Sequence, residues 1–195
     1  MKDYASYVRD GAIEVIDGDN PRHNDKAFVF FSGRQFNRGM FHFGVTAVKL
    51  GRPYLCVRDA GNQWYRGRNY PATLHHIWDW MYGRDRVVFV GSSMGGSAAL
   101  KYGLELLPDK VIAFAPQNFV EPLGVDLVAD YKTNWPIPET HIHYCRRSPE
   151  SLDVAIAEQM SGISKVHLHG RDCDSHRVMD LMDASGEMLA LLEGA

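Results

Sequence analysis

Short apolar runs alternate with stretches of helical periodicity along most of this 195-residue chain. Several of these runs are continuously apolar, as expected for the strands of a parallel sheet that helices cover on both faces. The alternation predicts an α/β fold, a three-layer α/β/α sandwich with a mostly parallel sheet. The predicted strands are Ala12–Ile16, Ala27–Phe31, Tyr54–Val57, Val87–Val90, Val111–Phe114, His141–Cys145 and Val166–His169. The predicted helices are Met40–Leu50, Ala72–Met81, Gly96–Leu107, Leu152–Met160 and Val178–Leu192.

The length of the chain fits a single domain over residues 1–195, because globular domains commonly span roughly 100 to 200 residues. We expect little room for a large cap domain. The segment Asn118–Pro138 interrupts the regular alternation with several prolines and a glycine. It therefore predicts an irregular excursion over the sheet edge or the site, which could serve as a small cap.

Composition and charge argue against a nucleic-acid or membrane partner and favour a protein of the cytoplasm. The formal net charge of −3 leaves no basic excess for a nucleic-acid backbone or an anionic membrane. No apolar run approaches the roughly 20 residues that span a bilayer, and the first residues lack the pattern of a secretory signal. Cys56, Cys145 and Cys173 are odd in number and lack CxxC spacing, so we expect a reducing, cytoplasmic environment.

The segment Arg86–Leu100 joins an apolar strand to a small-residue helix through a compact turn. The turn reads Gly91-Ser-Ser-Met-Gly95, which matches the pattern Gly-x-Ser-x-Gly. A nucleophile elbow needs both glycines because Cβ atoms there would collide in so tight a turn. Ser93 is then exposed beside the positive end of a helix dipole. The alternatives are a structural turn or a phosphate-binding loop, but the latter lacks its Gly-Lys-Ser/Thr ending.

With Gly-Ser-Ser-Met-Gly-Gly between a strand and a helix, the chain resembles the α/β-hydrolase superfamily. The order of the predicted elements extends this resemblance over most of the chain. It implies a minimal α/β-hydrolase fold with a triad in the order serine, acid, histidine, so both partners are expected after Ser93. The segments Phe31–Gly33 and Tyr54–Arg66 also resemble a branch that includes accessory-secretion and polysaccharide-associated members.

The same resemblance implies a base and an acid at two downstream positions. His176 follows the last predicted strand, where the superfamily keeps its general base; the alternative is a surface histidine at a helix start. Asp153 follows the preceding strand, where the acid is expected, but without the usual Gly-x-x-Asp turn. Asp153 could instead balance the dipole of a helix N-terminus. Glu150 is the nearest substitute for the acid.

The oxyanion hole would combine the amide of Met94, the residue after the nucleophile, with an amide from the loop after the second strand. Gly33 or Arg34 would supply that second amide, and Arg34 could also contact an anionic substrate or be a solvated loop charge. The residues that we expect to line a substrate site are Ser32, Asp59 and Trp64, with Asn62 and Tyr65 as further candidates. The alternative for this loop is packing on the surface without a binding role.

Four histidines fall at alternate positions of two predicted strands: His141, His143, His167 and His169. Four imidazoles could in principle bind zinc. Catalytic zinc sites, however, keep an open position and usually take ligands from loops or helices, whereas buried histidines commonly form hydrogen bonds with neighbours. We therefore expect no metal and no cofactor.

These residues together predict a serine hydrolase. It would cleave a carboxylic ester or thioester of a small molecule through an acyl-enzyme intermediate. The alternative is a hydrolase-like accessory protein, either non-catalytic or acyl-transferring, linked to polysaccharide or secretion machinery. The missing Gly-x-x-Asp turn favours this alternative, because a degenerate triad would be its mark.

Overall fold

The computed structural model describes residues 13–18, 25–34, 41–67, 69–133, 136–147, 152–173 and 176–195. The strands are β1 (Ile13–Gly18), β2 (Ala27–Phe31), β3 (Tyr54–Asp59), β4 (Val87–Ser92), β5 (Lys110–Phe114), β6 (Glu139–Cys145) and β7 (Val166–Arg171). The helices are α1 (Gly44–Leu50), α2 (Tyr70–Met81), α3 (Met94–Leu106), α4 (Val120–Leu123), α5 (Leu127–Thr133), α6 (Leu152–Met160), α7 (Val178–Ala184) and α8 (Glu187–Gly194).

The seven strands form one sheet in the order β1-β3-β2-β4-β5-β6-β7. All neighbouring pairs are parallel except β1 with β3, which is antiparallel at one edge of the sheet. The α/β fold with a mostly parallel sheet is therefore confirmed. Because parallel strands end at the same edge, the loops after β2, β4, β6 and β7 all open on the carboxyl edge of the sheet.

Helices cover both faces of the sheet because alternate strand residues point to opposite sides. In β2, Val29 and Phe31 join a core that includes residues of α2, α3, α5 and α6. Phe28 and Phe30 join a second core on the other face, with residues of α1, α7 and α8. All four side chains are almost fully buried, and each contributes roughly 1.5 to 3 kcal/mol through the hydrophobic effect. The result is the predicted three-layer sandwich.

Several helix boundaries differ from the predicted ones. The helix after the Gly-x-Ser-x-Gly turn begins at Met94, two residues before the predicted start. The predicted helix Val178–Leu192 is two helices, α7 and α8. Gly186 lies between them with a left-handed φ of 78°, which interrupts the helical backbone. Helix α1 begins at Gly44, and Met40 lies outside the described residues. Within the described ranges, none of the helices combines the length and the apolar character needed to cross a bilayer.

The segment Asn118–Pro138 contains two helices, α4 and α5, and is not the irregular excursion that we expected. Leu127 and Tyr131 of α5 are buried in the core, and α5 packs against α3 and α6. The segment is thus part of the crossover from β5 to β6 and covers one face of the sheet. The prolines did not prevent helix formation, because Pro122 lies within the short helix α4 and Pro136 and Pro138 come after the end of α5. Asn134 and Trp135 lie outside the described residues.

Candidate active site

The turn between β4 and α3 holds Ser93 in a strained backbone conformation. Its φ of 56° and ψ of −124° lie in a region that costs a non-glycine residue roughly 1 to 3 kcal/mol. A Cβ atom on Gly91 would lie 2.0 Å from the Gly95 carbonyl oxygen. A Cβ atom on Gly95 would lie 2.1 Å from the Phe31 carbonyl oxygen. The packing around the turn thus leaves no space for a side chain at either glycine, as the motif predicts.

Three side chains at the carboxyl edge of the sheet form one chain of hydrogen bonds. His176 Nε2 lies 2.9 Å from Ser93 Oγ, and His176 Nδ1 lies 2.7 Å from Asp153 Oδ1. Because an ionised carboxylate only accepts hydrogen bonds, the pairing assigns the imidazole proton to Nδ1 and leaves Nε2 to accept the Ser93 hydroxyl. The structure thus brings together the three residues that the sequence analysis selected as nucleophile, base and acid.

The burial of these groups is uneven in a way that suits proton transfer. The Asp153 side chain is fully buried, whereas 24% of the His176 side chain is exposed. A carboxylate that is shielded from water stabilises a neighbouring imidazolium more strongly than a solvated carboxylate does. The partial exposure of His176 leaves its ring accessible from solvent. Asp153 also lies in the first turn of α6, so its charge is placed well for the helix dipole too.

The other acids near His176 are placed differently. Asp172 accepts a hydrogen bond from Arg147 at 2.8 Å and is exposed. Glu150, the substitute acid of the sequence analysis, lies outside the described residues, as does Asp174. Among the described acids, Asp153 is therefore the one that contacts the imidazole.

A disulfide anchors the segment that leads to His176. Cys145, the last residue of β6, is bonded to Cys173, three residues before His176. The Arg147 amide donates a further hydrogen bond of 3.0 Å to the Cys173 carbonyl oxygen. Our expectation of unpaired cysteines was wrong for this pair, and the cysteine argument for a cytoplasmic location no longer applies. The available signal was that Cys145 ends one predicted strand and Cys173 comes shortly after the next, and the ends of these strands become neighbours only in the folded sheet.

The two amide sources predicted for an oxyanion hole lie beside the Ser93 turn. Met94 is the first residue of α3, where an amide has no acceptor within the helix. A Cβ atom on Gly33 would lie 2.9 Å from the Ser92 carbonyl oxygen, so the Gly33 backbone packs directly against the end of β4. The next residue, Arg34, is exposed. The structure therefore places the loop after β2 against the residue that precedes Ser93.

Ser32 and Asp59, expected to contact substrate, instead build the loops around the site. Ser32 Oγ accepts the His42 amide at 3.1 Å, and Asp59 Oδ2 accepts the Tyr65 amide at 2.8 Å. Both residues are buried, and burial raises the pKa of Asp59 against the opposing effect of the loop amides. These side chains are therefore occupied inside the protein and not presented to a ligand.

An aromatic pair at the same edge joins two loops. Trp64, predicted to line the site, is half-buried and packs edge-to-face against Phe119, with ring centroids 5.0 Å apart. The neighbouring Tyr65 is fully buried, and its hydroxyl donates to the Ser32 carbonyl oxygen at 2.7 Å. Sequence reasoning missed Phe119 and the linking role of Tyr65, because their partners come from distant segments of the chain.

Comparison with solved structures shows which fold this arrangement belongs to. MGS-MChE2, an α/β hydrolase from the sediment metagenome of the Mar Chica lagoon in Morocco, superposes with a TM-score of 0.61 at 11% identity; 95% of this chain and 98% of that chain are covered. The chain has the α/β-hydrolase fold. No protein-family model and no curated protein matches the sequence.

Two further proteins share this α/β-hydrolase fold. The capsule O-acetyltransferase of Neisseria meningitidis serogroup A is similar at a TM-score of 0.69 and 14% identity, with 93% of this chain and 92% of that chain covered. FphF, a fluorophosphonate-binding serine hydrolase of Staphylococcus aureus, is similar at a TM-score of 0.64 and 13% identity, with 92% of this chain and 91% of that chain covered. Identities this low show the fold alone, so the chemistry must be argued from the residues described above.

Proposed function

We propose that this protein is a serine hydrolase that cleaves a carboxylic ester or thioester through an acyl-enzyme. The observation that carries the proposal is the unbroken hydrogen-bonded chain from Ser93 through His176 to the buried Asp153. A strained nucleophile, a base with the correct tautomer and a buried acid are the parts that acyl transfer to serine requires. The expected substrate is a small-molecule acyl ester, with no cofactor in the reaction.

The proposed reaction has two halves. As Ser93 Oγ attacks the acyl carbonyl carbon, His176 Nε2 accepts the hydroxyl proton. The Met94 amide, with that of Gly33 or Arg34, donates hydrogen bonds to the oxyanion. The bond to the leaving alcohol or thiol then breaks, and that group takes the proton from Nε2. Water attacks the acyl-enzyme and gives a proton to Nε2, after which the carboxylic acid departs and the serine oxygen regains its proton.

The direct test removes the nucleophile. Ser93→Ala should abolish covalent labelling by a fluorophosphonate and lower hydrolysis of p-nitrophenyl acetate by at least about 10³-fold. Ser161→Ala is the matched control, because Ser161 is an exposed residue of the turn that precedes β7, at the end of the sheet where the parallel strands begin. This variant should keep both activities. Labelling of the Ser93→Ala variant, or no labelling of the unaltered protein, would contradict the proposal.

A second candidate is acyl transfer to a carbohydrate hydroxyl by the same acyl-enzyme. Two observations favour it: the similarity to a capsule O-acetyltransferase, and the half-buried Trp64 beside Phe119, since aromatic faces commonly pack against sugars. Product analysis with an acyl ester and an oligosaccharide acceptor separates the two, because transfer yields an acylated sugar in place of free acid. The non-catalytic alternative loses one of its supports, the suspicion of a degenerate triad, because Asp153 contacts His176 without the Gly-x-x-Asp turn.

A further inference from the structure

A ladder of histidines runs along one face of β6 and β7, outside the triad. In the parallel register His141 lies opposite His167, and His143 opposite His169. The rings of His141 and His169 are nearly parallel and stacked, with centroids 5.1 Å apart, and the centroids of His141 and His167 are 4.8 Å apart. His143 is buried and His141 is half-buried, whereas His167 and His169 on β7 are exposed. Solvent therefore reaches the ladder along β7, from the beginning of the two strands onwards.

Glu139 adds a carboxylate to this exposed end. Two residues before His141 on the same face of β6, it places Oε1 2.7 Å from His141 Nε2. Glu139, His141 and His167 offer one ligand atom each, and the three atoms all lie within 4.8 Å of one another. Zinc bonds of about 2.0 to 2.2 Å place tetrahedral ligands roughly 3.3 to 3.6 Å apart, so small side-chain rotations would bring the set onto one ion.

We propose that Glu139, His141 and His167 form a binding site for a divalent transition-metal ion of the zinc type. Two imidazoles and one carboxylate are a donor set that zinc accepts with a further position open to water or a ligand. His141 Nδ1 lies 3.0 Å from His169 Nε2. His169 therefore orients the ring of His141 as the outer partners of metal-bound histidines commonly do.

Two cations of the protein oppose a bound ion. Lys110 Nζ lies 3.1 Å from Glu139 Oε1 and forms an ion pair with the carboxylate, with which a metal ion would compete. Lys165 lies with Glu139 and His167 on the wall of a surface groove of about 540 Å³. The groove gives an ion a path from solvent, and removal of the Lys110 charge should raise affinity for a cation.

The proposed site is distinct from the catalytic one. Glu139 and Cys145 are the first and last residues of β6, and a strand of that length spans roughly 20 Å, so the ion would be far from Ser93. It would join β6 to β7, the strand at the edge of the sheet. A bound ion would thus stabilise the sheet edge whose far end leads to His176, and its presence does not depend on the proposed hydrolase activity.

The test is a zinc titration of chelator-treated protein in competition with a chromophoric chelator. The unaltered protein should bind one equivalent with micromolar or tighter affinity and unfold at a higher Tm with zinc, since an ion that binds only the folded state stabilises it. His141→Gln and His167→Gln should each weaken binding at least about tenfold. Lys110→Met should strengthen it.

His75→Gln is the matched control, because His75 is an exposed histidine of α2 that pairs with Asp79; it should leave zinc affinity unchanged. The Tm of each variant without zinc reports whether the substitution itself disturbs the fold. Absence of saturable binding in the micromolar range, or unaltered affinity in both the His141 and His167 variants, would overturn the proposal.

Discussion

Replacing Asp153 by asparagine tests whether the buried carboxylate sets the tautomer of His176. Asp153 Oδ1 lies 2.7 Å from His176 Nδ1, and Oδ2 has no hydrogen-bond partner among the described residues. A buried amide NH₂ group needs an acceptor, so in Asp153→Asn it should turn towards Nδ1 and not towards the unpartnered side. The imidazole proton then moves to Nε2, which can no longer accept the Ser93 hydroxyl proton.

The expected loss follows from that change of tautomer. Where a triad acid is replaced in this way, kcat falls by about 10⁴-fold, or about 5.5 kcal/mol of transition-state stabilisation at 1.36 kcal/mol per tenfold. The assay is kcat for p-nitrophenyl acetate, with the rate of fluorophosphonate labelling as a second readout. Glu158→Gln, an exposed substitution on the same helix, should retain full activity. A folded Asp153→Asn variant within about tenfold of the unaltered kcat would refute the assignment and direct attention to Glu150.

Two further predictions concern the frame around the site. Gly95→Ala should destabilise the fold by several kcal/mol in urea unfolding, because its Cβ would overlap a backbone carbonyl oxygen of β2. In Gly44→Ala the new Cβ atom would lie an ordinary 3.9 Å from Phe41 Cβ, so this variant should be neutral or stabilising; equal effects of the two substitutions would contradict the steric argument. Burial raises the pKa of Cys56 to about 12, so protein purified without reductant should show no reactive thiol when native at pH 8. After denaturation it should show one, and three once the Cys145–Cys173 bond is reduced; three without reduction would exclude the disulfide.

The features that could be predicted from the sequence are those that depend on neighbouring residues. Each continuous apolar run became a strand because its side chains must leave water on both faces of a parallel sheet. The Ser93 turn was predictable for a similar reason, since the clash that requires Gly91 and Gly95 arises within one short turn and its adjacent strand. The prediction of an irregular segment failed at α5, because the prolines near this helix suggested a loop. The helix is stabilised by packing against α3 and α6.

In the candidate site, too, some features follow from the sequence and others only from tertiary packing. The order of elements and the family resemblance selected Ser93, Asp153 and His176, but their mutual distances depend on how three loops meet at one edge of the sheet. Tertiary contacts alone decided that Ser32 and Asp59 turn inward to hold loop amides.

By itself, therefore, the sequence determined the α/β architecture and the nucleophile turn, because apolar periodicity and glycine sterics act over a few residues. Only the tertiary structure decided which side chains meet across the sheet. It joined Cys145 to Cys173, and it gathered Glu139 with the histidines of β6 and β7. Strand order and register determine such contacts, and they result from the packing of the whole chain.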